Sequence, residues 1–154
     1  MLVTKENIID IVKKGQEKGK TFVVTNGCFD ILHVGHVRYL QKTKEFADSL
    51  IVMLNSDASV KAIKGESRPI NNELDRAEIL SALSCVDYVV IFNENSPAKL
   101  LEDIKPNVYT KGADYTLETL PERDVVIKNN IKVEFIDFVD GKSTTNVIKK
   151  INKN

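Results

Sequence analysis

Leu50-Ile51-Val52-Met53-Leu54 is an unbroken apolar run of strand length, bounded by Asp48 on one side and by the turn-prone Asn55-Ser56-Asp57 on the other. A strand with one wet face alternates apolar and polar residues. A run without alternation must be covered on both faces, which is the situation of a central strand in a parallel sheet. Parallel strands need crossover connections, and those are usually helices. The rest of the chain supplies the matching pieces. Thr4 can cap a first helix through about Glu17, with Ile8, Ile11 and Val12 as its stripe, broken by Gly15 and Gly19. Further strands are expected at Thr21–Thr25, Tyr88–Phe92, Val108–Thr110 and Lys132–Phe138. Helices are expected near Val34 onward, over Ala58–Ile63 and over Glu73–Leu83, where Leu74, Ala77, Ile79, Leu80 and Leu83 make a broad apolar face. Others are expected from Pro97 to Ile104, over Pro121–Asn129, and from a Ser143 or Thr144 cap to Lys150. Strand and helix alternate throughout, which predicts an α/β fold: a Rossmann-like, doubly wound parallel sheet. Ligands of such sheets bind beyond the carboxyl ends of the strands.

One of those ends is chemically dense. After the Thr21–Thr25 strand come Asn26-Gly27, read as a turn, and then the start of a helix at Val34 or Gly35. Strand, glycine turn and helix bring free backbone N–H groups and a positive helix end to one place, a ready phosphate site. The only two histidines of the chain, His33 and His36, fall there, one helical turn apart and so on one face. Near the other end Ser143, Thr144 and Thr145 follow Gly141 and precede a helix, which makes a second anion site from hydroxyls, N–H groups and helix dipole.

The segment Gly27-Cys28-Phe29-Asp30-Ile31-Leu32-His33-Val34-Gly35-His36 resembles the GxFDxxHxGH signature of nucleotidyltransferases with an HxGH box. Gly141-Lys142-Ser143-Thr144-Thr145-Asn146-Val147-Ile148 resembles their second signature. Within that family the chain is most similar to the adenylyltransferase part of the ADP-heptose synthases, with further matches at 64–71 and 111–115. The likeness spans about Thr21 to Ile151. It implies transfer of AMP from ATP to a heptose 1-phosphate with Mg2+ accompanying the ATP. CTP with glycerol 3-phosphate or another polyol phosphate is the alternative. Phe138, where glycerol-phosphate cytidylyltransferases carry a basic residue, argues mildly against it.

The resemblance assigns His33 and His36 to the charge of the transition state and Lys64 to the α-phosphate, with Lys61 as competitor. Backbone N–H groups of Cys28 and Phe29, allowed close approach by Gly27, and Gly35 belong to the same phosphate turn. Arg76 matches a basic residue near the nucleotide, or is a surface partner of Asp75 or Glu78. Lys111, Gly112 and Asp114 are expected at base and ribose, Ser143, Thr144 and Thr145 at the β and γ phosphates. Arg68 and Lys44 are candidates for the sugar phosphate. Asp30 could fix a histidine tautomer, bind the sugar or stabilise its own turn.

Composition restricts the partners. Lys plus Arg and Asp plus Glu number 22 each, so no global field draws the chain to nucleic acid or an acidic membrane. The chain of 154 residues suffices for one domain with a core of its own, and no linker divides it. Cys28 and Cys85 form no repeated spacing, and neither a leader nor a membrane-length apolar run is visible, so a cytoplasmic protein with reduced thiols is expected. Relatives suggest a homodimer. The bifunctional heptose enzymes also carry a sugar kinase domain, which a separate kinase would replace. Three rival readings use the same residues: a metal bound by Cys28, Asp30, His33 and His36; a cysteine hydrolase built on Cys28 and His33; and a non-catalytic nucleotide sensor.

Overall fold

The computed structural model describes residues 1–137 and 143–153. Five parallel strands form one sheet in the order β3-β2-β1-β4-β5: β1 (Phe22–Gly27), β2 (Ser49–Asn55), β3 (Tyr88–Phe92), β4 (Val108–Gly112) and β5 (Lys132–Ile136). Among the described residues the helices are α1 (Lys5–Glu17), α2 (Val34–Lys44), α3 (Asp57–Lys64), α4 (Glu73–Ser81), α5 (Ala98–Ile104), α6 (Arg123–Lys128) and α7 (Thr144–Asn152).

Every residue of β2 is buried, and the reason is visible in the two cores. Ile51 and Met53 pack with Val24 of β1, Ile8 and Val12 of α1, Leu101 of α5 and Val126 of α6. Leu50, Val52 and Leu54 pack on the other face with Val23, Leu40 of α2, and Ala77 and Leu80 of α4. Neighbouring residues of a strand point to opposite faces, so a strand covered on both sides reads as a continuous apolar run. The doubly wound α/β reading holds.

Several local expectations are corrected. Asn26 and Gly27 are not a turn: they extend β1, in register with Met53 and Leu54. α1 continues through Gly15 to Glu17, and the missing side chain at Gly15 makes room for the Phe22 ring, which an added Cβ would meet at 2.6 Å. α4 ends at Ser81, and its expected apolar face is split: Ala77 and Leu80 are buried while Leu74 and Ile79 are exposed. Lys111 and Gly112 end β4 rather than lying in the loop after it. The end of the last strand at Phe138, that residue's bearing on substrate, and the Gly141-Lys142 turn lie outside the described residues.

The caps follow the sequence closely. Thr4 accepts from Asn7 N–H and Ser143 from Asn146 N–H, each such bond typically adding about 1 kcal/mol to its helix. Leu2 adds an isolated parallel bridge to Val89 at the outer edge of β3. No helix among the described residues is long and apolar enough to cross a membrane.

The strand order reverses between β1 and β4. β1 passes through α2 to β2 on one side, and the chain returns through α5 to β4 on the other. A crevice therefore opens where the two neighbouring connections leave the sheet in opposite directions.

Candidate active site

That crevice is a cavity of about 850 Å³ at the carboxyl ends of β1 and β4, and both segments singled out from sequence line it. Its deep wall is the turn from β1 into α2. An added Cβ on Gly27 would meet Cε2 of Phe29 at 2.8 Å, so glycine there admits the Phe29 ring. Phe29 takes a left-handed conformation, φ 44°, and its ring is 8% exposed in the core beside α2. Left-handed backbone at a bulky residue is disfavoured; burial of the ring compensates. The ring also meets His36 edge-on, with centroids 5.1 Å apart.

His33 is the N-cap of α2, not a residue within it. Its Nδ1 accepts from Gly35 N–H at 3.1 Å, and Nδ1 of His36 accepts from His33 N–H at 3.3 Å. The imidazoles are stacked, with centroids 3.8 Å apart. A ring nitrogen that accepts carries no proton, so each neutral imidazole holds its proton on Nε2. Two Nε2–H donors are thereby fixed by the helix cap itself. Burial, and secondarily the neighbouring His33, push the His36 pKa down from 6.5 to about 4. At neutral pH the His36 ring is a neutral donor.

Asp30 lines the cavity, and its carboxylate engages a partner that its local sequence did not announce, the segment after α3. It is 2% exposed. Its carboxylate accepts from Ile70 N–H, Asn71 N–H and Arg68 Nε, at 2.9, 3.0 and 2.7 Å. It fastens the segment after α3 to the β1–α2 turn, and Asn71 returns a bond from Nδ2 to the Asp30 carbonyl. Although burial opposes it, these donors hold the Asp30 carboxyl below its ordinary pKa. Arg68 lines the cavity beside this anchor.

Arg76 is corrected on both of its expectations. It is 1% exposed, it does not line the cavity, and its partners are neither Asp75 nor Glu78. Its guanidinium donates to the carbonyls of Cys28, Asn55 and Asn71 and to Asp57 Oδ1, at 2.7, 2.8, 3.0 and 2.8 Å. One planar fork thus ties together the ends of β1 and β2 and the start of α3 from behind the cavity wall.

Lys44 is also misplaced by the sequence reading. Its Nζ lies 2.5 Å from Asp87 Oδ2 and 2.6 Å from the Asp48 carbonyl, beside the amino ends of β2 and β3, opposite the cavity. Gly35 spends its N–H on the cap and does not line the cavity. Of the two competing lysines, Lys64 closes α3 and lines the cavity, whereas Lys61 lies 3.9 Å from Glu66.

Across the opening stands α7. Ser143, Thr144 and Thr145 line the cavity, and the Thr144 hydroxyl donates to the Ile31 carbonyl at 3.1 Å, which links α7 to the β1–α2 turn. Gly112 and Asp114 line the side where β4 ends. The sequence reading missed several lining residues, among them Asn26, Tyr39, Tyr115 and Glu122. Asn26 had a signal: a polar residue ending an apolar strand beside the point where strand order reverses. Glu122 had none, because nothing in Pro121-Glu122 announces a buried carboxylate.

The rival chemistries fare poorly on the same geometry. Among the described residues no group of three or more His, Cys, Asp or Glu is placed to hold a metal ion, and Asp30 has its donors already. Burial raises the Cys28 thiol pKa, the opposite of what a nucleophilic thiolate needs.

A sequence model described as cytidylyltransferase-like matches residues 24–150, which takes in both of the segments singled out from sequence. The chain belongs to the cytidylyltransferase-like family. Its relatives in that family include "Bifunctional protein HldE" of Geotalea uraniireducens (strain Rf4), 56% identical over 141 residues, which are 92% of this chain and 29% of that protein. The protein of the same name from Aliarcobacter butzleri (strain RM4018) is 52% identical over 151 residues, 98% of this chain and 31% of its own length. The chain thus spans under a third of these relatives. Among solved structures, the lipopolysaccharide core biosynthesis protein from Thermoplasma volcanium GSS1 superposes with a TM-score of 0.63 at 30% identity, over 79% of this chain and 98% of that one. Family membership and the Rossmann-like α/β architecture therefore agree with the reading from sequence.

Proposed function

We propose that the chain transfers AMP from ATP to a heptose 1-phosphate, giving ADP-heptose and pyrophosphate. The observation that carries this reading is the stacked His33–His36 pair, its Nε2 protons fixed by reciprocal caps, sharing one cavity with the N-terminus of α7. The similarity to proteins named HldE favours the heptose substrate over a polyol phosphate.

In this reaction an oxygen of the sugar phosphate attacks the α-phosphorus, the bond from that phosphorus to the bridging oxygen breaks, and pyrophosphate leaves with the electron pair. Both reactants are anions, and neither step requires a covalent enzyme intermediate. What the protein must supply is alignment and donors aimed at the oxygens where charge accumulates. The Nε2–H groups of His33 and His36 and the backbone N–H groups of Cys28 and Phe29 serve the α-phosphate. Lys64 brings a cation to the same oxygens. The first turn of α7, with Ser143, Thr144 and Thr145, receives the β and γ phosphates. Gly112 and Asp114 hold the nucleoside, Asp114 by accepting from ribose hydroxyls, while Lys111 ends the same strand with its charge facing Glu122. Arg68, oriented by Asp30, reaches the sugar's phosphate.

Mg2+ enters with ATP as part of the substrate. A sugar kinase reaction must supply the heptose 1-phosphate. ADP-heptose is an activated sugar donor, and lipopolysaccharide assembly is the destination in keeping with the Thermoplasma volcanium protein.

The test is pyrophosphate release from ATP and from CTP, each offered heptose 1-phosphate and glycerol 3-phosphate. Release confined to ATP with heptose 1-phosphate is expected. Turnover of CTP with glycerol 3-phosphate instead would replace the proposed reaction.

A further inference from the structure

One buried charge in the cavity is not used by the proposed reaction. Glu122 is 3% exposed, yet it lines the cavity. Its Oε1 lies 3.6 Å from Lys111 Nζ. Its Oε2 has no hydrogen-bond partner among the described residues. A buried carboxylate oxygen without a donor is unfavourable, so such a group calls for an explanation.

Its surroundings are specific. Lys111 Nζ also lies 3.2 Å from Asn26 Oδ1 and 3.2 Å from the Tyr109 hydroxyl, over the rings of Tyr109 and Tyr115. The Tyr109 hydroxyl donates to Asn26 Oδ1 at 2.6 Å. With Oδ1 of Asn26 receiving two donors, its Nδ2 group remains as a donor at the cavity wall. The cluster therefore offers an acceptor in Glu122, a donor in Asn26, and a lysine whose charge the glutamate balances. Burial lowers the Lys111 pKa, and the Glu122 carboxylate works against that.

This chemistry is wrong for a polyphosphate, which a buried carboxylate would repel. It suits a neutral polyol, whose hydroxyls each donate and accept. Position agrees. Asn26 lies two residues beyond Val24 and Lys111 two beyond Tyr109, both core residues on the side of α5 and α6. Gly112, next to Lys111, faces the other way, toward the side of α2. The nucleoside and the sugar can thus occupy opposite sides of the β1–β4 rim, with the reacting phosphates between them.

We infer that Glu122, braced by Lys111 and Asn26, accepts a hydrogen bond from a hydroxyl of the acceptor sugar and so sets which sugar phosphate reacts; this rests on the adenylyltransferase reading above. Glu122 is a specificity-determining residue and touches no reacting atom.

The experiment compares acceptors on one enzyme sample, so that any misfolded fraction cancels. For the full chain and for Glu122→Ala and Glu122→Gln, kcat/KM is measured with heptose 1-phosphate and with its monodeoxy analogues, using ATP and then ITP. The wild type should disfavour one monodeoxy analogue by about 10- to 100-fold, the size of a hydrogen bond to a charged group. Glu122→Ala should bring that ratio close to 1, with Glu122→Gln between the two. The ATP-to-ITP ratio should stay the same in all three. Undiminished discrimination in Glu122→Ala, or a wild type that accepts every monodeoxy analogue equally, overturns the assignment. A change confined to the ATP-to-ITP ratio overturns it in favour of the 6-amino group of the base. A wild type inactive on every sugar phosphate but active on a polyol phosphate refutes the underlying reaction, and the sugar assignment with it.

Discussion

The two walls of the cavity, the β1–α2 turn and the start of α7, are built in opposite ways. The β1–α2 turn is fixed from several directions: Arg76 holds the Cys28 carbonyl from behind, Asp30 clamps residues 68–71, and Phe29 is buried over Gly27. The α7 wall has no buried residue among the described residues, and the Thr144 hydroxyl ties it to the Ile31 carbonyl of the turn. Donors that stabilise a transition state act best when they need no reorganisation, and those are on the fixed wall. Binding a triphosphate tolerates a partner that settles on arrival. For the proposed reaction, the contrast predicts that the histidine wall governs rate and α7 governs affinity.

The largest effect tests how the fixed wall is fixed. Arg76→Ala leaves three carbonyls and Asp57 without their donor, and breaking a buried charged network in this way is expected to destabilise by about 3–5 kcal/mol. Urea unfolding measures it. A loss below about 1 kcal/mol, the scale of an exposed ion pair, would mean that the wall stands without Arg76. Next in size, His36→Ala should lower kcat by about 10² to 10³ through the loss of one fixed donor. Its melting temperature should move little, because the cap it removes is worth only about 1 kcal/mol. Unchanged kcat would separate the histidines from the chemistry.

On the other wall the effects should be smaller and of another kind. Thr145→Ala should raise the KM for ATP by about 3- to 10-fold at nearly constant kcat, as befits one hydrogen bond from a solvent-exposed hydroxyl. Amide exchange sharpens this: the α7 amides should exchange faster than those of α2 in the free protein and gain most protection with ATP. If ATP protects α2 more than α7, the two walls do not divide the work as described.

The sequence carried most of the fold because its signals were local and redundant. The run Leu50–Leu54 required cover on both faces, and Thr4 and Ser143 each sit where a cap belongs. The lining of the cavity was legible where residues act through the backbone near them, as in His33 to His36. It failed where side chains reach across the fold. Arg76, Asp30 and Glu122 all had ordinary local settings, and what each does depends on Cys28, Ile70 and Lys111, at least 11 residues away in sequence. Lys44 failed for the complementary reason: α2 starts at the site but runs toward the amino ends of the strands, so a basic residue near its end is carried away from the cavity.

The smallest expected effect concerns acid, and it again distinguishes the walls, since both histidines lie on one of them. The folded His36 ring has a pKa of about 4 against an ordinary 6.5. Between those values the unfolded chain binds a proton that the folded chain does not. The stability contributed by this group is therefore complete above pH 6.5 and is lost as pH falls toward about 4. The loss has a structural counterpart. Protonated Nδ1 of His36 can no longer accept from His33 N–H, so the cap of α2 opens as the ring gains charge. A ¹⁵N titration of the histidines should find His36 as the Nε2–H tautomer with a midpoint well below 6.5, and ATP should move that midpoint upward by placing negative charge beside the ring. A free-protein midpoint near 6.5 would mean that the wall is more open to water than its geometry implies, and an Nδ1–H tautomer would remove the fixed donors on which the contrast between the walls depends.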